Sequence, residues 1–268
     1  IWLKVPTTIR VELEGTLAPG VYAKDAVLTL LRELRADGAA YRAIEFAGPA
    51  AAQLTPSMRM TFCNMAVELG AKCGVFACDD VTETYLQGRT TTAYQSVSAD
   101  PDAVYERVVT LDLSTLEPQV AKPHTVDNVF PLTDSLGTPV HLAYLGSCTN
   151  GRLEDFREAA RVLNGKQVAK GVRLVVYPAS TEVAEAMQSE GVTAILKAAG
   201  AEIMGASCGP CFGAVGAILE PGQACISSSN RNFCGRMGSK EASVFLASPA
   251  TVAASAVHGV IADPRAFQ

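Results

Sequence analysis

The chain has 268 residues, of which 49% are hydrophobic, and this is enough to bury the core of one large domain or two ordinary ones; we expect two. Its net charge of −5 and its charged fraction of 18% argue against nucleic acid or an anionic membrane as a partner. We see no apolar run long enough to cross a bilayer and no signal peptide. The eight cysteines fall far short of the density of a disulfide-stapled secreted domain, so we expect reduced thiols and a cytoplasmic location.

The first part of the chain alternates predicted strands and helices. Residues 8–14 alternate apolar and polar side chains, as a half-buried strand does. Apolar residues at helical spacing predict a helix over 26–34. Thr55 as N-cap and Pro56 at the first helical position predict a second helix, which we expect to continue to Gly70. Further strands are predicted at 41–48, 73–78 and 108–113.

A proline-rich stretch divides the chain. Because prolines disfavour continued helix or central strand, we predict an extended crossover between residues 114 and 139. A second alternating pattern follows, so the fold class is α/β, with one domain over 1–120 and another over 121–268. The strands predicted after the crossover are 140–146, 172–178, 201–205 and 224–227, and the helices are 153–163, 181–191 and 192–200.

Three cysteines in two short motifs supply sulfur donors. Cys148 lies in SCTNGR, between a predicted strand and a predicted helix, where open α/β sheets place their ligands. Cys208 and Cys211 lie in CGPC. Thiolates suit soft, polarisable iron, so this trio predicts an iron–sulfur cluster. Three such ligands on a cubane leave one iron open to act as a Lewis acid.

Polar and charged residues accompany the cysteines. Planar guanidinium groups hold carboxylates through paired hydrogen bonds, so the arginines of these motifs predict a small polycarboxylate as ligand. These arginines are Arg152, Arg231 and Arg236. Asn64 and Glu68 stand four residues apart on a predicted helix and share a face, a pattern that in an arbitrary helix is more typical of a solvated stripe.

The motifs SCTNGR, CGPC and SNRNFCGR in this order, with CNMAVELGAK upstream, resemble the aconitase superfamily of iron–sulfur hydro-lyases. The resemblance is nearest to the large subunit of its isopropylmalate isomerase and homoaconitase branch, and it runs from KVPTTIRVELEG to SPATVAASAVHG. It implies two α/β/α domains of the aconitase iron–sulfur type. It further implies a hydro-lyase that dehydrates and rehydrates a small hydroxy di- or tricarboxylic acid, isopropylmalate-like or homocitrate-like, with leucine biosynthesis as the setting in the first case.

The resemblance also implies roles for individual residues. Glu68 and Asn64 are the expected catalytic residues, with both facing the cluster and the glutamate near the substrate hydroxyl. The expected ligands of a [4Fe-4S] cluster are Cys148, Cys208 and Cys211. The expected substrate-binding residues are Arg152, Asn230, Arg231 and Arg236.

Parts of the family's machinery have no counterpart in these 268 residues. Its large subunits carry an earlier domain with catalytic histidines and aspartates, and its base is a serine on a swivelling domain that is often a separate small subunit. We therefore expect an upstream part to be missing and a small-subunit partner to be required. Alone, the chain is expected to bind a cluster and turn over little or nothing.

Three other interpretations stay open. CGPC is also the dithiol of thioredoxin-like oxidoreductases, although the two glycines in the following FGAVGA make a poor helix. Cys234 could complete a four-thiolate zinc site, although the long gap after Cys148 fits such sites badly. A non-catalytic iron–sulfur protein would keep the cysteines alone. The other four cysteines are predicted to be core thiols: Cys63, Cys73, Cys78 and Cys225.

Overall fold

The computed structural model describes residues 1–267, which form two β-sheets flanked by helices. The first sheet has four parallel strands in the order β3-β2-β1-β4. The strands are β1 Thr8–Glu14, β2 Ala43–Ala47, β3 Cys73–Phe76 and β4 Arg107–Asp112. The strands predicted from this part of the sequence are therefore confirmed, and so is the α/β class.

Three helices accompany the first sheet: α1 Ala23–Leu34, α2 Pro56–Met65 and α3 Asp80–Leu86. Thr55 caps α2, because its side chain accepts a hydrogen bond from the backbone N–H of Met58 at 3.3 Å. The predicted run of α-helix to Gly70 is wrong in its last turn. The chain tightens into a 3₁₀ segment at Ala66–Leu69, and the left-handed Gly70 ends it.

The second sheet has seven strands in the order β6-β5-β11-β10-β7-β8-β9. Its strands are β5 Gln119–Ala121, β6 Val129–Pro131, β7 Leu142–Gly146, β8 Arg173–Tyr177, β9 Glu202–Ile203, β10 Ala224–Ser227 and β11 Ser243–Leu246. Its helices are α4 Ser147–Asn150, α5 Leu153–Leu163, α6 Thr181–Ser189, α7 Val192–Ala198 and α8 Pro249–His258. The strands from β11 to β9 run parallel, with β7 directly beside β10.

The predicted extended crossover between 114 and 139 is wrong in part. Two short strands in that stretch, β5 and β6, pair antiparallel with each other, and β5 pairs antiparallel with β11. Val120 and Val129 are buried there. Pro131 lies at the end of the edge strand β6, where its lack of a backbone N–H removes no hydrogen bond between strands. The second sheet therefore begins at Gln119, and the division of the chain into domains at 120 and 121 stays a prediction.

One buried apolar cluster includes residues of both sheets, and α1 packs against β5 and β6 of the second sheet. Val11 and Leu28 contribute from the first part of the chain, and Tyr144 and Tyr177 from the second. In addition, α2 contacts the short helix α4. Residues from the two parts of the chain can thus meet at one site.

The core-thiol prediction holds for Cys225, which is fully buried, and is wrong for Cys73, which is exposed. Cys73 opens β3, an edge strand that has no neighbour on one side. Cys63 and Cys78 are half-buried. Among the described residues, none of the helices combines the length and the apolar character that a bilayer crossing demands.

Phe46→Ala tests the core beneath α2. The Phe46 ring is 1% exposed and lies 5.2 Å from the Phe62 ring and 5.1 Å from the Phe76 ring, centroid to centroid. Because the truncation leaves a cavity, we expect the free energy of unfolding to fall by about 3–5 kcal/mol in urea denaturation. Val108→Ala, at a side chain that is 57% exposed, should change it by less than about 0.5 kcal/mol. Equal effects of the two substitutions would contradict this packing.

Asp79→Asn tests how α2 is fixed to α3. The Asp79 carboxylate accepts hydrogen bonds from the nearly buried guanidinium of Arg59 at 2.6 and 2.7 Å, and these bonds lower the pKa of Asp79 from 3.8 to about 2. A lowered carboxyl pKa stabilises the fold above pH 3.8, and the stabilisation is lost as the pH falls toward 2. Because Asp79 is partly exposed, we expect the variant to lose only about 1 kcal/mol at pH 7. Urea denaturation at pH 7, 5 and 3 should show the difference shrinking only at pH 3, and a difference that is constant to pH 3 would count against the ion pair.

Candidate functional site

The Cys148 turn begins where the buried strand β7 ends. Gly146 has φ +153°, and a Cβ there would lie 2.5 Å from the Tyr177 carbonyl oxygen, so only glycine fits. Ser147 follows with φ +79°, and the single turn of α4 presents Cys148 at the surface. This strained exit directs the Cys148 thiol away from the sheet and toward α2.

Arg152 fastens the same turn. Its guanidinium donates through Nη1 to the Thr149 carbonyl and through Nη2 to the Cys148 carbonyl, both at 2.6 Å. Burial lowers the pKa of Arg152. Two of its five N–H donors are thus used on the backbone, and its role in substrate binding stays a prediction.

The CGPC loop packs against two tyrosines, one in the middle of β7 and one at the end of β8. The Tyr144 hydroxyl donates to the Cys208 carbonyl at 3.1 Å, and the Tyr177 ring lies edge-on to the Tyr144 ring at 5.9 Å. A Cβ on Gly209 would lie 2.7 Å from the Tyr177 ring, so the loop rests directly on that ring. A thioredoxin-like dithiol lies at the start of a regular helix. The CGPC motif instead forms a 3₁₀ turn over Gly209–Phe212, so it lacks that context.

The segment after β10 brings polar side chains to the same place. Asn230 Nδ2 donates to Glu68 Oε1 at 2.6 Å, and Arg231 Nε donates to the same oxygen at 2.9 Å. Arg236 Nη2 lies 3.9 Å from the Cys211 sulfur, and its guanidinium stacks over the Phe233 ring at 5.1 Å. The Nε atom of Arg236 is buried without a partner within the described residues, so this guanidinium still has a donor to satisfy.

Asn64 and Glu68 both reach this site although the helix that carries them changes type between them. Asn64 Nδ2 donates to the Cys148 sulfur at 3.2 Å, and Asn64 Oδ1 accepts from the Thr149 hydroxyl. Glu68 is 9% exposed and lies in the 3₁₀ segment after α2. The structure therefore brings Asn64 to Cys148, and it brings Glu68 to Asn230 and Arg231.

The three thiols of the motifs influence one another electrostatically. Burial is the main cause that raises the pKa of Cys211, and the neighbouring Cys208 and Cys148 raise it further, whereas Arg236 lowers it. In the same way, burial raises the pKa of the Tyr144 hydroxyl, and all three thiols add to that effect. Cys148 and Cys208 are thus near enough to influence both Cys211 and Tyr144, and Arg236 is the cation beside Cys211.

Several residues of this site were not anticipated from the sequence. Asp155 accepts from the Arg152 backbone N–H at 2.9 Å and from Asn150 Nδ2 at 3.0 Å, and burial raises its pKa to about 6. Its position in the first turn of α5 is typical of a capping acid and could have indicated this role. Tyr144 and Tyr177 were missed because tyrosines fit ordinary buried strands.

Cys234 contacts a backbone carbonyl of its own loop. Its thiol is exposed and its sulfur lies 3.3 Å from the Lys240 carbonyl. Within residues 1–267, no group of three His, Cys, Asp or Glu is arranged to hold a single metal ion. The arrangement of the described residues thus gives the four-thiolate zinc interpretation no support.

The amino-acid sequence of this chain is similar to those of known proteins along nearly its whole length. The model of the aconitase family (aconitate hydratase) matches residues 1–139 and 135–259. The chain is 50% identical over 267 residues to "3-isopropylmalate dehydratase large subunit 1" of Methanopyrus kandleri, covering 100% of this chain and 64% of the relative. It is 49% identical to "3-isopropylmalate dehydratase large subunit 2" of Archaeoglobus fulgidus, covering 99% and 64%. It is 47% identical to "Probable methanogen homoaconitase large subunit" of Methanosarcina mazei, covering 99% and 67%.

The chain thus spans a little under two thirds of the length of the first two relatives. All three relatives match along almost the whole of this chain, so the similarity extends well beyond the cysteine motifs.

Glu68→Gln tests the contact that joins α2 to the segment after β10. The carboxylate accepts from Asn230 and pairs with Arg231, and hydrogen bonds to a charged group contribute more to stability than neutral ones. We expect the variant to lose about 1–3 kcal/mol of unfolding free energy in urea. Glu185→Gln, at an exposed position, is the matched control and should change it by less than about 0.5 kcal/mol. Indistinguishable losses would show that Glu68 does not hold this segment.

Proposed function

The chain belongs to the aconitase family, and on that premise we propose that it is the cluster-binding part of a hydro-lyase. The proposed reaction removes water from a small hydroxy di- or tricarboxylic acid and returns it at the neighbouring carbon. The observation that carries this proposal is that an amide, a guanidinium and the Asn230 side chain gather on the sulfur atoms of Cys148 and Cys211. The names of the relatives, a 3-isopropylmalate dehydratase and a homoaconitase, support an isopropylmalate-like or homocitrate-like substrate.

The residues present fit a [4Fe-4S] cluster held by Cys148, Cys208 and Cys211. The donor set is purely sulfur, which suits iron. A cubane is larger than one ion, so the lack of a single-ion arrangement among the described residues is compatible with it. Arg236 beside Cys211 and the Asn64 amide beside Cys148 can donate to thiolate sulfur, and such hydrogen bonds tune a cluster. When bound, the cluster supplies a Lewis-acid iron that makes hydroxide a better leaving group.

The polar residues of the site are proposed to bind and orient the acid. Arg231 uses Nε to contact Glu68, and its guanidinium keeps four further N–H donors for a carboxylate. Arg236, with its unsatisfied buried Nε, is proposed to bind a second carboxylate, and Arg152 stands at the Cys148 edge of the site. Asn230 and Arg231 hold the Glu68 carboxylate in place. Glu68 is proposed to lie against the substrate hydroxyl and to exchange a proton with it, with Asn64 near Glu68.

The base that takes the proton from carbon is proposed to come from a smaller partner subunit. The relatives are named large subunits, which supports a second chain. All eight cysteines lie within the described residues as free thiols, which supports a reducing, cytoplasm-like compartment. If the substrate is isopropylmalate-like, the reaction belongs to leucine biosynthesis.

Replacing single cysteines by serine tests the proposed ligands. We expect Cys148→Ser, Cys208→Ser and Cys211→Ser each to lose most of the iron and the visible absorption of anaerobically reconstituted protein, because a serine hydroxyl binds iron weakly compared with a thiolate. The measurement is iron and acid-labile sulfide per chain, together with the absorption spectrum. Cys225→Ser, at a buried thiol of β10 that is not a proposed ligand, is the control for folding.

Cys234→Ser separates the proposal from its rivals. It should keep a full complement of iron, whereas a four-thiolate zinc site would lose its metal. A dithiol oxidoreductase would need Cys208 and Cys211 and would tolerate the loss of Cys148. Retained colour in Cys148→Ser would therefore overturn the proposed ligand set.

A further inference from the structure

Lys24 is a lysine at a place where lysine is rare. It lies in the first turn of α1 with 0% of its surface exposed. Burying an ammonium group in a protein interior is costly unless polar partners replace the lost water. What surrounds its Nζ atom therefore indicates why a lysine stands there.

The partners of Lys24 are backbone carbonyls of the segment that follows β10. Nζ donates to the Ser229 carbonyl at 2.6 Å and to the Ser228 carbonyl at 3.1 Å, and the Met65 sulfur lies 3.9 Å away. Three N–H donors thus meet three acceptors. Lys24 has no solvent-facing surface, so it cannot contact a substrate directly and acts through the residues that it holds.

The held carbonyls come immediately before Asn230 and Arg231. The side chains of these two residues are held from the other side by Glu68. Two residues from the first part of the chain therefore bind the turn at 228–231. Lys24 of α1 binds its backbone carbonyls, and Glu68 binds its side chains. Buried backbone carbonyls outside a sheet ladder need such partners, because leaving them unpaired is unfavourable.

Charges around Lys24 compensate part of the burial. Burial lowers its pKa to about 8, and Asp155, Glu68, Cys211 and Asp25 act in the opposite direction. Three of these groups, Asp155, Glu68 and Cys211, belong to the candidate site.

We propose that Lys24 is a positioning residue that fixes the Ser228–Asn230 turn and thereby aims Asn230 and Arg231 at the site. The contacts stand independently of the reaction, but the consequence for ligand binding rests on the proposed function. Lys24 thus couples the packing of α1 to the geometry of Asn230 and Arg231.

Hydrogen exchange of the folded chain tests the positioning directly. Lys24→Met keeps the length of the apolar stem and removes the donors, so backbone amides of residues 228–232 should exchange about tenfold faster, measured by mass spectrometry on peptides. Asp25→Asn is the matched control. It is equally buried on the next residue of α1, but its carboxylate accepts from the backbone N–H groups of Gln119 and Tyr22, both at 2.9 Å, so any loosening should appear near 119 and 22 and leave 228–232 unchanged. Wild-type exchange at 228–232 in folded Lys24→Met would overturn the proposal.

A wild-type measurement decides the case if Lys24→Met does not fold. Native protein is treated with formaldehyde and borohydride, and methylation is mapped by mass spectrometry. Lys24 should stay unmodified while the exposed Lys166 reacts. Equal modification of the two lysines would overturn the proposal, because an amine held by two carbonyls has no free access to reagent.

The cluster-loaded protein gives the functional readout. Protein reconstituted anaerobically with iron and sulfide is reduced, and its electron paramagnetic resonance spectrum is titrated with citrate as a tricarboxylate probe. Lys24→Met should still form the cluster, but it should need about tenfold more citrate for the same spectral change, a factor of ten being 1.4 kcal/mol. An unchanged titration would overturn the proposal. A wild type that forms no cluster would contradict the proposed function instead, and the exchange and methylation results would still decide the role of Lys24.

Discussion

The parallel pairing of β7 with β10 is the constraint on which the rest of the site depends. In a parallel pair the carboxyl ends of both strands lie at one edge, so the Cys148 turn after β7 and the 228–236 segment after β10 must emerge side by side. The link is visible in Ser228, whose hydroxyl accepts from the Gly146 N–H at 3.0 Å and lies 3.2 Å from the Asn150 carbonyl. Residues that are some 80 positions apart in the chain are thereby set in register before any ligand is present.

The second sheet alone does not complete the site. Asn64 and Glu68 come from α2 and its 3₁₀ extension, and Lys24 comes from α1, yet all three contact loops of the second sheet. The apolar cluster shared by the two parts brings these helices close, but apolar packing is tolerant of small shifts. Charged hydrogen bonds are directional, so the Glu68 and Lys24 contacts fix the position of these helices relative to the loops more closely than apolar packing does. Both contacts are made to the turn at 228–231, which carries Arg231 and is followed by the segment that carries Arg236.

Sequence reasoning succeeded where local pattern or a motif carried the information. The strands β1 and β4, the Thr55 cap and α5 follow from alternation, capping chemistry and helical spacing, and the family assignment from the order of the motifs is confirmed. It failed where long-range pairing decided. The strands β5 and β6 are three residues each. They form because β5 pairs with the edge of β11, and the local sequence does not predict this long-range pairing. Lys24 was invisible for the same reason, since its carbonyl partners lie more than 200 residues away.

The charges of the site are balanced in a way that explains why thiols and arginines occur together. Burial and mutual repulsion raise the pKa of Cys211, so a group of thiolates at this position is unfavourable without nearby positive charge. Arg236 supplies a permanent cation 3.9 Å from that sulfur, and its stacking on Phe233 holds the guanidinium in place. The same guanidinium retains an unsatisfied Nε donor, which can serve an anionic ligand without giving up the contact to sulfur. On the proposed function, a single residue would favour the thiolate form of Cys211 and also bind a carboxylate, because the strand order places residues 211 and 236 at one edge.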